Sequence, residues 1–361
     1  MVQIRKHGGN LKEASEKYKI PVEKFIDFSA NINPLGPPEG VFEVIKDNLE
    51  KITQYPDSRN LEIKKALAYY LNVDINSLIL GNGASELIFL IVNNLRPKTA
   101  WLPVPTFSEY EIASRAAGAN IIQVPLQGEK FNKFTIDQLE GLAKGDILFI
   151  CNPNNPTGQL YDVKLLNHIL QATNDTEAYL VIDESFLDFI KERKEVSFIE
   201  KIKEYPRLII LYSLTKFFAI PGLRLGAMIA NPKLIEQFEL GRDPWNVNIF
   251  AQLAGKVALE DKEFIEKTLD YFENEKKFFY TELQQIKGLI PYEPKANYIF
   301  IKLLEPNNSS EVCDLLARDG FLVRNLNTYP LLGENYIRVA IKTRKENLML
   351  IHSLKKCIRG I

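Results

Sequence analysis

Histidine and cysteine are scarce in this chain, three of each among 361 residues. Cys151, Cys313 and Cys357 are far apart and odd in number, which argues against a disulfide framework and for a reducing compartment. His7, His168 and His352 show no metal-ligand spacing with one another or with the cysteines, so no metal is expected. Surplus charge is lacking too. Lys+Arg of 45 against Asp+Glu of 46 gives a formal net charge of -1, which offers no electrostatic case for nucleic acid or an anionic membrane. No run of about 18 apolar residues is present to span a bilayer, and the opening residues lack the apolar core of a signal peptide. Internal repeats and low-complexity segments are absent as well. The cytoplasm is the expected location.

What is present is ordinary in bulk, 46% hydrophobic and 25% charged. The length suggests one large domain and a smaller one, since single cores stop growing near about 250–300 residues. From Thr99 onward, short apolar runs alternate with amphipathic segments. The runs are Ala100-Trp101-Leu102, Ile121 to Val124, Ile147 to Cys151, Tyr179 to Ile182, Leu208 to Tyr212 and Leu225 to Ala230. Near-continuous apolar strands between helices predict an α/β fold with a mostly parallel sheet covered on both faces. Ligands in such sheets collect at the carboxyl ends of the strands.

The polar residues that follow the runs are therefore the informative ones. Pro103 to Tyr110, with Phe107, follows the first; Asn152-Pro153-Asn154-Asn155-Pro156-Thr157-Gly158 follows the third. Asp183-Glu184-Ser185-Phe186 follows the fourth, and Ser213-Leu214-Thr215-Lys216 follows the fifth. A lysine at the exit of a core strand is costly to bury without a partner. Its chemical reading is an imine-forming amine whose pKa falls through desolvation and the nearby cation Arg224; a surface lysine is the bland one. Earlier, Leu78-Ile79-Leu80 runs through Gly81-Asn82-Gly83-Ala84-Ser85 into an apolar helix from Leu87. That is either a plain N-cap or an anion site made of free backbone N–H groups and the positive helix end.

Two further stretches could carry ligand contacts. An arm built from His7-Gly8-Gly9-Asn10, a helix over Leu11 to Tyr18, and Phe28 to Gly36 contains Asn31 and Asn33 among turn-forming residues. Val41 to Lys51 and Leu61 to Leu71 then read as amphipathic helices. After about Trp245, long helices (Phe250 to Glu260, Phe264 to Ile286) give way to strands at Tyr298 to Ile301, Phe321 to Arg324 and Tyr336 to Ala340. A helix over Glu346 to Ile358 closes the chain. Arg324 at a strand end and Arg338 within a strand are either solvated side chains or a pair that binds carboxylate and phosphate. The expected organisation is an N-terminal arm over 1–40 joining the small domain, a large domain over 41–245, and a small α+β domain over 246–361.

Asn155-Pro156-Thr157-Gly158, Asp183-Glu184, Ser213-Leu214-Thr215-Lys216 and Arg224, in this order, resemble the fold-type-I pyridoxal-phosphate enzymes over essentially the whole chain. The branch it looks like contains histidinol-phosphate aminotransferases and threonine-phosphate decarboxylases, and the arm motif is similar to the decarboxylase group. The resemblance implies pyridoxal 5'-phosphate as cofactor, with Lys216 bonded to its aldehyde and later acting as acid and base. Asp183 would pair with the pyridine nitrogen, Asn155 with the phenolic oxygen, and Phe107 with the ring face. Gly83, Ala84, Ser85, Ser213 and Arg224 would hold the cofactor phosphate, and Tyr55 would reach it from a second subunit of a homodimer.

One departure matters. Many aminotransferases of this fold carry a tyrosine three residues after the aspartate, where this chain has Phe186. A donor to the cofactor's phenolic oxygen is thereby lost, which weakens assignment to a generic aminotransferase. The resemblance then implies decarboxylation of L-threonine O-3-phosphate for cobalamin side-chain synthesis, with serine phosphate as a variant and histidinol-phosphate aminotransferase as the alternative. His7, Asn31, Asn33, Arg324 and Arg338 are the groups expected around that phosphorylated amino acid.

Overall fold

The computed structural model of the chain describes residues 8–358. Strand β1 (Ile26–Asp27) lies in the arm. The central sheet is built from β2 (Leu78–Gly81), β3 (Thr99–Val104), β4 (Asn120–Pro125), β5 (Ile147–Cys151), β6 (Tyr179–Asp183), β7 (Leu208–Ser213) and β8 (Gly226–Ala230). The C-terminal part adds β9 (Leu289–Pro291), β10 (Tyr298–Leu303), β11 (Phe321–Leu322), β12 (Arg324–Asn325) and β13 (Tyr336–Ala340).

The seven-stranded sheet runs β2-β8-β7-β6-β5-β3-β4, and only β8 opposes the others. The apolar runs are continuous because both faces are covered, each by its own cluster. Leu148, Ile150, Leu180, Ile182, Leu208 and Ile210 pack on one side. Phe149, Val181, Ile209 and Leu211 pack on the other, with Tyr110. The period of two along each strand makes this division. It also sets Asp183, two residues after Val181, on the side of Tyr110. Strand β4 is the exception: at the sheet edge it buries only Val124.

The smaller sheet runs β12-β13-β10-β9, all antiparallel, and β1 of the arm pairs in parallel with β11. The single strand expected over Phe321 to Arg324 is thus two short ones in different sheets. Ile26 N and Phe28 N bond to the carbonyls of Gly320 and Leu322, which turns the first half toward the arm, while Arg324 pairs with Arg338. The helix expected over Val41 to Lys51 spans Glu39–Lys46 and gives way to a 3-10 turn, Leu49–Thr53. Asp47 caps its end, and Asn48 just beyond donates its side-chain amide to the carbonyl of Val44 at 2.8 Å. Helices Leu61–Leu71, Ile249–Glu260, Lys262–Gln284 and Arg344–Cys357 match the apolar spacing closely.

Candidate active site

Three strand ends meet in one row. Ser213 of β7 pairs with Gly226 of β8, which in turn pairs with Gly81 of β2. Gly226 must be glycine here: an added Cβ would lie 2.6 Å from the backbone nitrogen of Ala84. This close approach sets the start of the helix Ala84–Leu95 against the end of β7. No side chain caps that helix, whose N-cap Gly83 has φ 82°, so its first N–H groups are available to an anion. The guanidinium of Arg224 packs on Gly83 so tightly that a Cβ there would meet Nη2 at 2.5 Å. Ser85 is half-buried beside them.

Lys216 follows within one turn of β7. Its Nζ donates to Ser213 Oγ at 2.9 Å and lies 5.4 Å from the centre of the Phe186 ring. Burial pushes its pKa down, the charge of Asp183 pushes it up and that of Arg224 pushes it down again, with a net lowering. An amine held below its ordinary pKa gives up its proton more readily, as nucleophilic and proton-transferring lysines require. Asp183 is buried at the end of β6, accepting from Tyr110 Oη at 2.7 Å and from Ser185 N at 2.9 Å. Tyr110 is itself fixed by stacking on Phe149, and Phe107 meets it edge-on with centroids 5.6 Å apart.

The asparagine loop supplies the next group. Asn155 Oδ1 accepts from Arg338 Nη1, which turns its Nδ2 outward as a donor. Arg338 Nη2 donates to the carbonyl of Ser29 at 2.8 Å, and the guanidinium carbon sits 5.0 Å from the Tyr298 ring centre. Arg324 is its direct partner across β12 and β13, so both side chains leave one face of that sheet. Asn33 N donates to the carbonyl of Lys216 at 3.1 Å. Its side chain is engaged by Phe217 O, Thr268 Oγ1 and Leu35 N, so Asn33 secures the lysine turn from inside the fold. Asn31 is buried nearby, its carbonyl accepting from Asn297.

Of the buried polar atoms without a hydrogen-bond partner among the described residues, Asn31 Oδ1 and Arg338 Nε belong to the groups expected around the substrate. Each such group costs about 1–3 kcal/mol until a ligand satisfies it. The Arg338 Nε donor, with the uncapped helix start and Arg224, fits a phosphorylated cofactor and an anionic substrate, while Asn31 Oδ1, an acceptor, suits a hydroxyl or ammonium donor. The residues suit pyridoxal phosphate group by group: an amine for its aldehyde, a carboxylate for its ring nitrogen, an amide donor for its phenolic oxygen, and an anion cradle. Among the described residues no group of three or more His, Cys, Asp and Glu could hold a metal, and no helix is long and apolar enough to cross a membrane.

Tyr55 stands apart from this cluster, 78% exposed and stacked on Trp245. His7 lies outside the described residues. The sequence reading passed over Tyr110, Tyr298 and Asn154. Tyr110 stands one turn after Phe107, at the spacing that puts two side chains on one helix face, which was its only local signal. Asn154 knits the site loops, donating to Pro105 O and Thr157 Oγ1, while its carbonyl accepts from Tyr298 Oη at 2.8 Å.

A mostly parallel sheet with a lysine, an aspartate and an anion cradle at its strand ends, beside a separate antiparallel sheet, is the fold-type-I architecture of pyridoxal-phosphate enzymes. The chain belongs to the aminotransferase class I and II family, whose model matches residues 23–354. It is 37% identical to threonine-phosphate decarboxylase of Salmonella typhimurium over 98% of this chain and 97% of that protein. It is 32% identical to the adenosylcobalamin biosynthesis bifunctional protein CobDQ of Leptospira interrogans, over 99% of this chain and 42% of that longer protein. The crystal structure of histidinol-phosphate aminotransferase from Clostridium acetobutylicum superposes with a TM-score of 0.85 at 31% identity, covering 91% of this chain and 98% of that one.

Proposed function

We propose that the chain decarboxylates L-threonine O-3-phosphate, with pyridoxal phosphate as cofactor, to 1-aminopropan-2-yl phosphate for cobalamin synthesis. Serine phosphate is a close variant, because one methyl group is worth only about 1–3 kcal/mol of discrimination. The carrying observation is the pair Arg324 and Arg338. Like charges directly opposite on neighbouring strands destabilise a sheet, and a ligand with two anions relieves that repulsion. An amino-acid phosphate brings a carboxylate and a phosphate on one small molecule. Full-length similarity to a threonine-phosphate decarboxylase supports the same reading.

When bound, the cofactor supplies an electron-withdrawing ring that accepts the electron pair left as CO2 departs. The protein does the rest. Tyr110 and the Ser185 N–H hold the Asp183 carboxylate where it would face the ring nitrogen. Arg338 fixes the Asn155 amide so that Nδ2 donates to the phenolic oxygen, where Phe186 adds no second donor. The helix start at Ala84, with Ser213 and Arg224, holds the cofactor phosphate. The two arginines and Asn31 would anchor the substrate, and with it which bond at Cα is placed to break. Lys216 Nζ then delivers a proton to Cα in place of the lost carboxylate.

The test is a product assay. Purified protein given threonine phosphate is expected to release CO2 and form no 2-oxo acid. The alternative, a histidinol-phosphate aminotransferase, is favoured by the structural likeness to the Clostridium enzyme. Transfer of the amino group from histidinol phosphate to 2-oxoglutarate, with no CO2 from threonine phosphate, would establish that alternative.

Three further readings belong to the proposal. The chain forms a homodimer in which Tyr55 completes the phosphate site of the second copy; Tyr55, Phe42, Leu49 and Ile52 are large, exposed and close in sequence. Sedimentation as a monomer at assay concentration would refute it. The chain divides into the arm over 1–40, a large domain over 41–245 and a small domain over 246–361, which limited proteolysis near 245 would support. It resides in the cytoplasm, which cell fractionation checks.

A further inference from the structure

Outside the site, one amine joins two distant turns. Lys276, in the helix Lys262–Gln284, donates from Nζ to the carbonyl of Phe189 at 2.6 Å and to that of Lys295 at 3.0 Å. The neighbouring carboxylate of Glu273 is engaged by Lys191, and Lys276 turns to the two carbonyls instead. Burial, reinforced by the charge of Lys295, pushes the Lys276 amine down to about 8. At neutral pH it is therefore still mainly protonated, and both bonds are charge-assisted.

The two carbonyls are matched in position. Phe189 stands three residues after Phe186, at the end of the 3-10 turn Leu187–Phe189. Lys295 stands three residues before Tyr298. The rings of Phe186 and Tyr298 meet edge-on with centroids 5.1 Å apart. Phe186 is the ring beside Lys216 Nζ, and Tyr298 is the ring beneath Arg338. The segment around Lys295 is also bonded to the asparagine loop, through Lys295 N to Gly158 O at 3.1 Å and Gln159 Nε2 to Glu293 O at 2.9 Å.

From this geometry we infer that Lys276 is a positioning residue for the reaction: it clamps the two turns that carry Phe186 and Tyr298, and so sets the aromatic wall between Lys216 and Arg338. Lys276 makes its two bonds to backbone carbonyls, each three residues from the ring it positions. Without the clamp each turn keeps its own hydrogen bonds and ring contacts, but the hydrogen-bonded link through the Lys276 amine between the Phe189 and Lys295 carbonyls is lost. A shift of the order of 1 Å in such a wall is costly to turnover, because the reacting groups lie close together.

This inference rests on the decarboxylase reading for its kinetic arm only. In the holoenzyme, Lys276→Met keeps the apolar stem and removes the donors. Its kcat on threonine phosphate is expected to fall roughly tenfold or more with KM little changed, and Lys276→Arg, which can reach both carbonyls, is expected to recover most of the loss. In the substrate-free protein, hydrogen exchange of the turns around Phe189 and Lys295 should rise together in the methionine variant, while the remainder of the helix stays protected. A kcat within about twofold of wild type, or exchange that rises along the whole helix and not at the two turns, would overturn the assignment. Lys276→Leu, which also lacks a donor, is read the same way should the methionine variant not fold. If the wild type itself releases no CO2 from threonine phosphate, the functional reading fails and the exchange comparison alone decides on Lys276.

Discussion

The phenol of Tyr110 donates to Asp183 at 2.7 Å, across 73 residues of sequence and with both side chains buried. Ser185 N donates to the same carboxylate, so two donors fix its orientation. Tyr110→Phe removes one of them and leaves the ring stacked on Phe149. A hydrogen bond to a charged group is worth about 1.5–3 kcal/mol, so kcat is expected to drop by about tenfold or more with little change in KM. Steady-state kinetics checks this; an unchanged kcat would mean that Ser185 N alone suffices.

Lys216→Ala is expected to abolish turnover, a loss of at least about 10²–10⁴-fold for the proton transfer alone. The purified variant should also lose the visible absorption that borohydride removes from the wild type. Ser213, relieved of its bond to Nζ, keeps its contact with Thr215, so the fold should persist. Circular dichroism alongside the spectrum separates the two effects.

Arg338→Met and Arg324→Met are expected to part company. Removing the first leaves Asn155 Oδ1 and the Ser29 carbonyl without their donor, at about 1–3 kcal/mol each, so both stability and KM suffer. Removing the second also raises KM and loses its contact with the Tyr329 ring, but it leaves the Arg338 bonds to Asn155 and Ser29 in place and ends the cross-strand repulsion, so stability falls less than for Arg338→Met. Thermal unfolding beside KM for threonine phosphate tests the pair; equal destabilisation by both would count against the shared-anion role.

Glu184 supplies a pH signature. Burial pushes its carboxyl up to about 7, although Phe198 N and Ser197 Oγ donate to it at 2.8 and 2.7 Å. The folded state thus holds this proton more tightly than the unfolded state does. The contribution to stability is full below the unfolded pKa near 4.5 and is lost as pH rises through 7. The difference in unfolding free energy between wild type and Glu184→Gln should therefore fall by a few kcal/mol between those limits. A flat difference would show that Glu184 titrates normally.

Much of this architecture was legible because burial writes itself into composition. Ile147 to Cys151 and Leu208 to Tyr212 are apolar throughout since neither face meets water, and Leu61 to Leu71 shows its helix through Ile63, Leu67 and Leu71. Lys216, Asp183 and Asn155 could be singled out because they interrupt that pattern at strand ends. Tyr298 and Asn154 could not, for their bond spans 144 residues and leaves no local period. The division of 321–325 between two sheets was equally hidden, since it depends on the arm pairing with Phe321 and Leu322.

The bonds from Asn33 to Phe217 reach across 184 positions, and the same asparagine holds the peptide of Lys216. A ribosome must therefore release more than half of the polypeptide before its leading segment can seat. Until then the nascent front end has no berth, and the catalytic amine, once made, waits on residues synthesised long before it. A deletion that removes Asn33 is consequently felt at the turn of Lys216.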